Sequence, residues 1–136
     1  MRTRHLFLTG TDTHVGKTTI GCALAGAWRR AGRRVAVLKP IETGCSLGPN
    51  GLVPDDAVLL AEAAAQRKPI ELLCPNRFET PMSPEGAARA AGRTVDLDAI
   101  RAAHRTLSDG VDLMLVEGAG GLLVPIAPGY TMAEMA

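Results

Sequence analysis

The run GTDTHVGKTT at residues 10–19 constrains the chain most, because it joins a short apolar segment to one with helical periodicity. Residues 5–9 (HLFLT) stop at Gly10, and apolar residues then recur at Ile20, Leu24, Ala27, Trp28 and Ala31. The order is strand, loop, helix. In that setting successive backbone N–H groups and the positive end of the helix wrap phosphate oxygens. Gly16 allows the backbone to approach closely, Lys17 would set its ammonium against the β and γ phosphates, and the Thr18 hydroxyl would coordinate Mg2+. Five residues separate Gly10 from Gly16, where the common phosphate-binding pattern has four.

The remaining segments alternate in the same way. Gly32 follows the last periodic residue of the first helix, with Arg29 and Arg30 in its final turn beside the negative helix end. Residues 34–39 (RVAVLK) read as a second strand, ended by Pro40 and a Gly- and Pro-rich loop to about Pro54. A helix follows from Asp55 or Asp56 to Gln66. Residues 70–74 (IELLC) read as a short edge strand, and residues 75–84 as irregular because they hold three prolines. Leu97, Ile100, His104 and Leu107 give a further helix with Asp96 as N-cap. Residues 111–116 (VDLMLV) form a near-continuous apolar strand of the kind buried on both faces of a parallel sheet.

This alternation predicts an α/β fold in three layers around a parallel sheet with right-handed crossovers, as one domain over residues 1–136. Ligands in such sheets sit beyond the carboxyl ends of the strands. The first strand ends at the phosphate loop, the second at Lys39 and the third at Glu117, so one rim gathers a cradle, a cation and a carboxylate. A carboxylate ending a buried apolar strand needs a partner, since leaving it alone there costs several kcal/mol. Glu117 is therefore a candidate metal ligand, and Gly118, Ala119 and Gly120 offer bare backbone to a nucleotide. Asp56 is a second candidate ligand, although Asp55 or Asp56 equally suits the cap of the helix beginning there. Thr43 and Gly44 lie just past Lys39, near enough to meet a substrate.

Composition narrows the rest. Fifteen basic against fourteen acidic residues leave no bulk field for nucleic acid or a charged membrane. No stretch approaches the roughly 20 apolar residues of a membrane span, and nothing at the start reads as a signal peptide. Three widely spaced cysteines, Cys22, Cys45 and Cys74, fit neither a disulfide framework nor a zinc site. The expectation is a cytoplasmic protein with cysteines serving as small hydrophobes. His5, His14 and His104 form no metal-ligand spacing and read as structural or exposed.

GTDTHVGKT, Lys39-Pro40 with Thr43-Gly44, PDDA at 54–57, FETPMSP at 78–84 and VEGAGGLLVPI at 116–126 together resemble dethiobiotin synthetase, in that family's order and approximate spacing. The long phosphate loop is the family's own form. The resemblance covers essentially the whole chain and implies a P-loop NTPase-type sheet. It also implies an ATP- and Mg2+-dependent ligase acting on 7,8-diaminononanoate and CO2 to give dethiobiotin, ADP and phosphate, and a homodimer. It implies catalytic roles for Lys17 and Lys39, and magnesium ligation by Thr18, Asp56 and Glu117. Thr13, His14, Val15, Gly16, Lys17, Thr18, Thr19, Glu117, Gly118, Ala119 and Gly120 would line the nucleotide, and Thr13, Lys39 and Thr43 the substrate. For Asp56 the family match favours metal over cap. Two departures stand out. His14 occupies a position where many members carry glutamate, and the chain ends at TMAEMA, before the family's later strands. The resemblance therefore implies a form shortened at its C-terminus.

Competing readings are another long-loop ATPase, an amidating ligase, or a noncatalytic nucleotide-binding module. Partitioning ATPases carry a second lysine five positions before the loop lysine; here that position is Asp12.

Overall fold

The computed structural model describes residues 3–136. The elements run β1 (Arg4–Gly10), α1 (Lys17–Arg30), β2 (Val35–Leu38), β3 (Ile41–Glu42), β4 (Ser46–Gly48), β5 (Gly51–Val53), α2 (Asp55–Ala63) and α3 (Ile70–Leu73). They continue as β6 (Asn76–Arg77), α4 (Pro84–Ala90), α5 (Leu97–Ser108), β7 (Leu113–Gly121), β8 (Pro125–Ala127), β9 (Tyr130–Thr131) and α6 (Met132–Met135).

The main sheet is parallel, in the order β1-β7-β2. β7 takes the centre because its apolar run has no polar face: Met114, Leu115 and Val116 are all buried. Side chains alternate across the sheet, so Leu115 and Val37 join Ala25, Leu60 and Ala61 beneath α1 and α2. Met114, Val116, Ala36 and Leu38 join Ala103 and Leu107 of α5. A third cluster, with Phe78, Ile41, Ile126 and Met132, packs α4 and the C-terminal hairpin beside the sheet. This is the three-layer arrangement the alternation predicts.

The first helix ends as expected. Gly32 adopts φ +77°, its N–H donates to Arg29 and the Arg33 N–H donates to Trp28, which together satisfy the last carbonyls of α1. Asp96 caps α5 by accepting from the Ala99 N–H at 2.8 Å.

Four expectations need correction. Residues 70–73 form a single helical turn, α3, and not an edge strand. Pro69 starts it by accepting from Leu72 and Leu73, and the Leu73 carbonyl then takes the Lys39 N–H at 2.9 Å, which ties the turn to the end of β2. The Pro-rich segment 75–84 is not irregular throughout. β6 pairs in parallel with β3, and α4 begins at Pro84 with Ser83 as N-cap, accepting from Gly86 at 3.3 Å. Serine followed by proline at the first helical position is a start signal that three nearby prolines obscured. The loop after Pro40 likewise contains β3 and the β4–β5 hairpin. The third strand runs past Glu117 to Gly121, so the carboxylate lies within it.

Candidate functional site

β1 ends at Gly10 opposite Gly121 of β7. The loop between β1 and α1 then curls over the sheet end, with His14 at φ +55° and Gly16 at φ +102°. Gly16 precedes α1 in the left-handed conformation and caps it without a side chain, so the first N–H groups of the helix stay free. Space is tight on the other wall: a Cβ on Gly121 would lie 3.1 Å from the Gly10 carbonyl.

Lys17, the first residue of α1, is buried and donates to the Asp12 carbonyl at 2.6 Å. Burial lowers its pKa, with Lys39 adding repulsion and Glu117, Asp56 and Asp12 partly compensating. One turn of loop thus holds its ammonium inward, across the cradle.

Strand alternation explains the centre of the site. Val37 and Leu115 pair in register on the α1–α2 face, and two residues later the same face carries Lys39 and Glu117. The Lys39 Nζ lies 2.7 Å from Glu117 Oε1, 3.2 Å from the Gly118 carbonyl and 3.4 Å from Asp56 Oδ2. Burial pulls the Lys39 pKa down, but the charge and hydrogen bond of Glu117, then Asp56 and Glu42, outweigh it and hold the ammonium above its ordinary value. Thr18 donates to Glu117 Oε1 at 2.8 Å. Glu117 is fully buried, and its Oε2 has no partner within the protein. Such a buried, unanswered carboxylate oxygen beside a threonine hydroxyl suits a hard, oxygen-seeking cation, so Thr18, Glu117 and Asp56 fit a Mg2+ ion.

Asp56 does not cap its helix. Pro54 holds the N-cap position, and the free N–H groups of Asp56 and Ala57 donate to Glu42 at 2.9 and 3.1 Å. The Asp56 carboxylate is left to face Lys39. Glu42 was missed in the sequence, because its role depends on β3 lifting it against the start of α2. Burial pushes its pKa up to about 7, against the two N–H groups that favour its ionised form.

These groups line one cleft of about 750 Å3. The sequence-predicted residues Thr13, His14, Gly16, Lys17, Thr18, Thr19, Lys39, Thr43, Asp56, Glu117, Ala119 and Gly120 all line it. Residues 81–84 form its far wall, and with Glu42 and Val124 they are lining that residue chemistry alone did not single out. Val15 and Gly118 do not line it. The Val15 side chain folds back over Gly10, and Gly118 packs against the Phe7 ring while offering its carbonyl to Lys39.

His5 and His104, unrelated in sequence, meet at a distance from this cleft, with His104 Nε2 and His5 Nδ1 3.2 Å apart. The cysteines are free, Cys45 and Cys74 buried and Cys22 partly so, and burial raises all three thiols. No described helix is long and apolar enough to cross a membrane.

A parallel α/β sheet whose first loop carries the phosphate-binding pattern beside a lysine–carboxylate pair defines a P-loop nucleotide-binding protein. A family model described as an AAA domain matches residues 4–136, and the chain belongs to that family. It is 45% identical over 133 residues to the ATP-dependent dethiobiotin synthetase BioD of Anaeromyxobacter dehalogenans (strain 2CP-C), covering 98% of this chain and 58% of that relative. The protein of the same name from Thermodesulfovibrio yellowstonii is 41% identical over 120 residues, 88% of this chain and 50% of the relative. That of Yersinia pestis bv. Antiqua (strain Angola) is 38% identical over 132 residues, 97% and 55%. The chain spans little more than half the length of the curated relatives it matches.

Proposed function

We propose that these residues form the ATP-handling centre of a cytoplasmic dethiobiotin synthetase that acts on 7,8-diaminononanoate and CO2. The observation that carries the reading is the Lys39–Glu117–Thr18 cluster, with an unanswered carboxylate oxygen at the mouth of the phosphate loop.

The chemistry begins with one substrate amine attacking CO2 to give a carbamate and release a proton. A carbamate oxygen then attacks the γ-phosphorus of ATP, the bond to the β-γ bridging oxygen breaks, and ADP leaves. The second amine attacks the carbonyl carbon of the mixed anhydride, closing the cyclic urea and expelling phosphate. Such transfer requires positioning and charge neutralisation more than covalent protein chemistry. Lys17 holds the β and γ phosphates from the loop side, where Thr13, His14, Gly16 and Thr19 surround the nucleotide. Lys39 sits between the reacting oxygens, held there by Glu117 and Asp56, and Thr13 and Thr43 meet the substrate. Ala119 and Gly120 run beside the nucleotide, while Gly118 acts through the carbonyl it offers to Lys39. Thr18, Glu117 and Asp56 would hold Mg2+, which when bound neutralises phosphate charge and polarises the γ-phosphoryl group. A homodimer would complete the substrate pocket.

The test is ADP release by the purified chain given ATP, Mg2+ and bicarbonate, with and without 7,8-diaminononanoate, with the product identified by mass. ADP release that needs the diamine, with dethiobiotin formed, supports the reading. If the 136 residues are inert alone, the same assay applies to a chimera in which they replace the matching part of the Anaeromyxobacter relative. A well-folded chimera that hydrolyses ATP indifferently to the diamine would rule the reading out.

A further inference from the structure

We propose that His5 and His104 form a two-imidazole binding site for a borderline-soft divalent cation such as Zn2+, independent of the phosphate cleft. His5 comes from β1 and His104 from α5, 99 positions apart in the chain, so the fold alone assembles the pair.

The geometry suits shared coordination. Zinc–imidazole bonds are about 2.0–2.1 Å, so two of them at a tetrahedral centre place their nitrogens about 3.3 Å apart. The observed separation is 3.2 Å, and the ring centroids lie 5.0 Å apart with the rings tilted by 33°. Two rings meeting end to end in a straight N–H···N bond at that separation would have centroids about 5.5 Å apart, whereas rings aimed at one shared cation would have them about 5 Å apart. The two nitrogens stand within hydrogen-bonding distance of each other, and the same separation also accommodates a shared cation. Burial, then the neighbouring His5, lowers the His104 pKa, which favours the neutral imidazole that binds metal.

The surroundings set the selectivity. His5 and His104 line a cavity of about 540 Å3 together with Leu97, Tyr130 and Met135. Arg101 and Arg105 line the same cavity, with Arg101 held by Asp98 at 2.9 Å. Among the described residues no third histidine, cysteine or carboxylate joins the pair. Two nitrogens and no anionic oxygen select Zn2+, Ni2+ or Cu2+ and reject Mg2+. A cation there would staple the start of β1, in the central sheet, to α5 in the helical layer on that face.

Zn2+ titration of the purified chain in excess Mg2+, followed by calorimetry and Tm, tests the site. The wild-type chain should bind one Zn2+ and gain about 3 °C or more in Tm, as expected when a ligand binds only the folded state. His5→Gln and His104→Gln should each weaken binding by about tenfold or more. A Cu2+ electron paramagnetic resonance spectrum of the wild type, with coupling to two imidazole nitrogens, reads the ligands without relying on variants. No Zn2+ binding to the wild type, a loss smaller than tenfold in both variants, or a Cu2+ spectrum lacking two-nitrogen coupling overturns the proposal.

Discussion

Replacing Lys39 by methionine removes the positive member of a buried pair whose partner, Glu117, is wholly inside the protein. Oε1 of Glu117 then keeps only the Thr18 hydroxyl, and Oε2 already has no protein partner. Removing one partner of a buried ion pair costs about 3–5 kcal/mol, a large fraction of the 5–15 kcal/mol that holds a domain folded. Glu117→Gln alone should cost less, because Lys39 still has Asp56 at 3.4 Å and the Gly118 carbonyl at 3.2 Å. In the double variant the buried charge is gone, so its loss should fall short of the sum of the two single losses by about 1–3 kcal/mol. Urea denaturation of the four proteins measures this directly. Losses that add to within about 0.5 kcal/mol would show that the two side chains do not feel each other, and would refute the pairing at the centre of the site.

Glu42 gives a pH signature. Its pKa is about 7 when folded against an ordinary 4.5, so between those values the folded chain holds a proton the unfolded chain releases. Stability should therefore fall as pH rises from about 4.5 through 7, and Glu42→Gln should flatten that part of a Tm–pH profile. An unaltered profile would contradict the burial of this carboxylate. Gly21→Ala gains helix propensity of about 1 kcal/mol, yet its Cβ would lie 2.7 Å from Leu60 Cδ2 and 3.2 Å from Glu117 Oε2. Overpacking of about 1–3 kcal/mol should win, lowering the urea midpoint; a raised midpoint would place α1 farther from the site.

How much of this was legible follows the physics of each residue. The three strands of the main sheet and the carriers of the cleft were readable because apolar runs mark the strands and ligands in such sheets sit beyond the strands' carboxyl ends. Lys39 and Glu117 could be placed on one rim in that way. Cap chemistry was readable at Asp96 and Gly32 for the same local reason. Glu42 was not, since its function rests on the N–H groups of Asp56 and Ala57, fourteen and fifteen positions away. The same carboxylate resolves the ambiguity at Asp56: by occupying the helix start, it leaves Asp56 turned to Lys39. Residues 70–73 deceived because four residues of mixed apolar pattern suit a strand or a single turn, and the bonds from Leu72 and Leu73 back to Pro69 and from Cys74 to Ile70 make them a turn. The His5–His104 meeting depends wholly on packing between β1 and α5, which no spacing announces.

The central claim is that the loop, Lys17 and the carboxylates around Lys39 together hold a nucleotide phosphate with Mg2+. Calorimetric titration of the purified chain with a nonhydrolysable ATP analogue, with and without Mg2+, tests it most directly. Binding should strengthen with Mg2+ and weaken by about tenfold or more in Lys17→Ala, which loses a charge-assisted contact to the phosphates. Binding that is indifferent both to Mg2+ and to the loss of Lys17 would contradict the account.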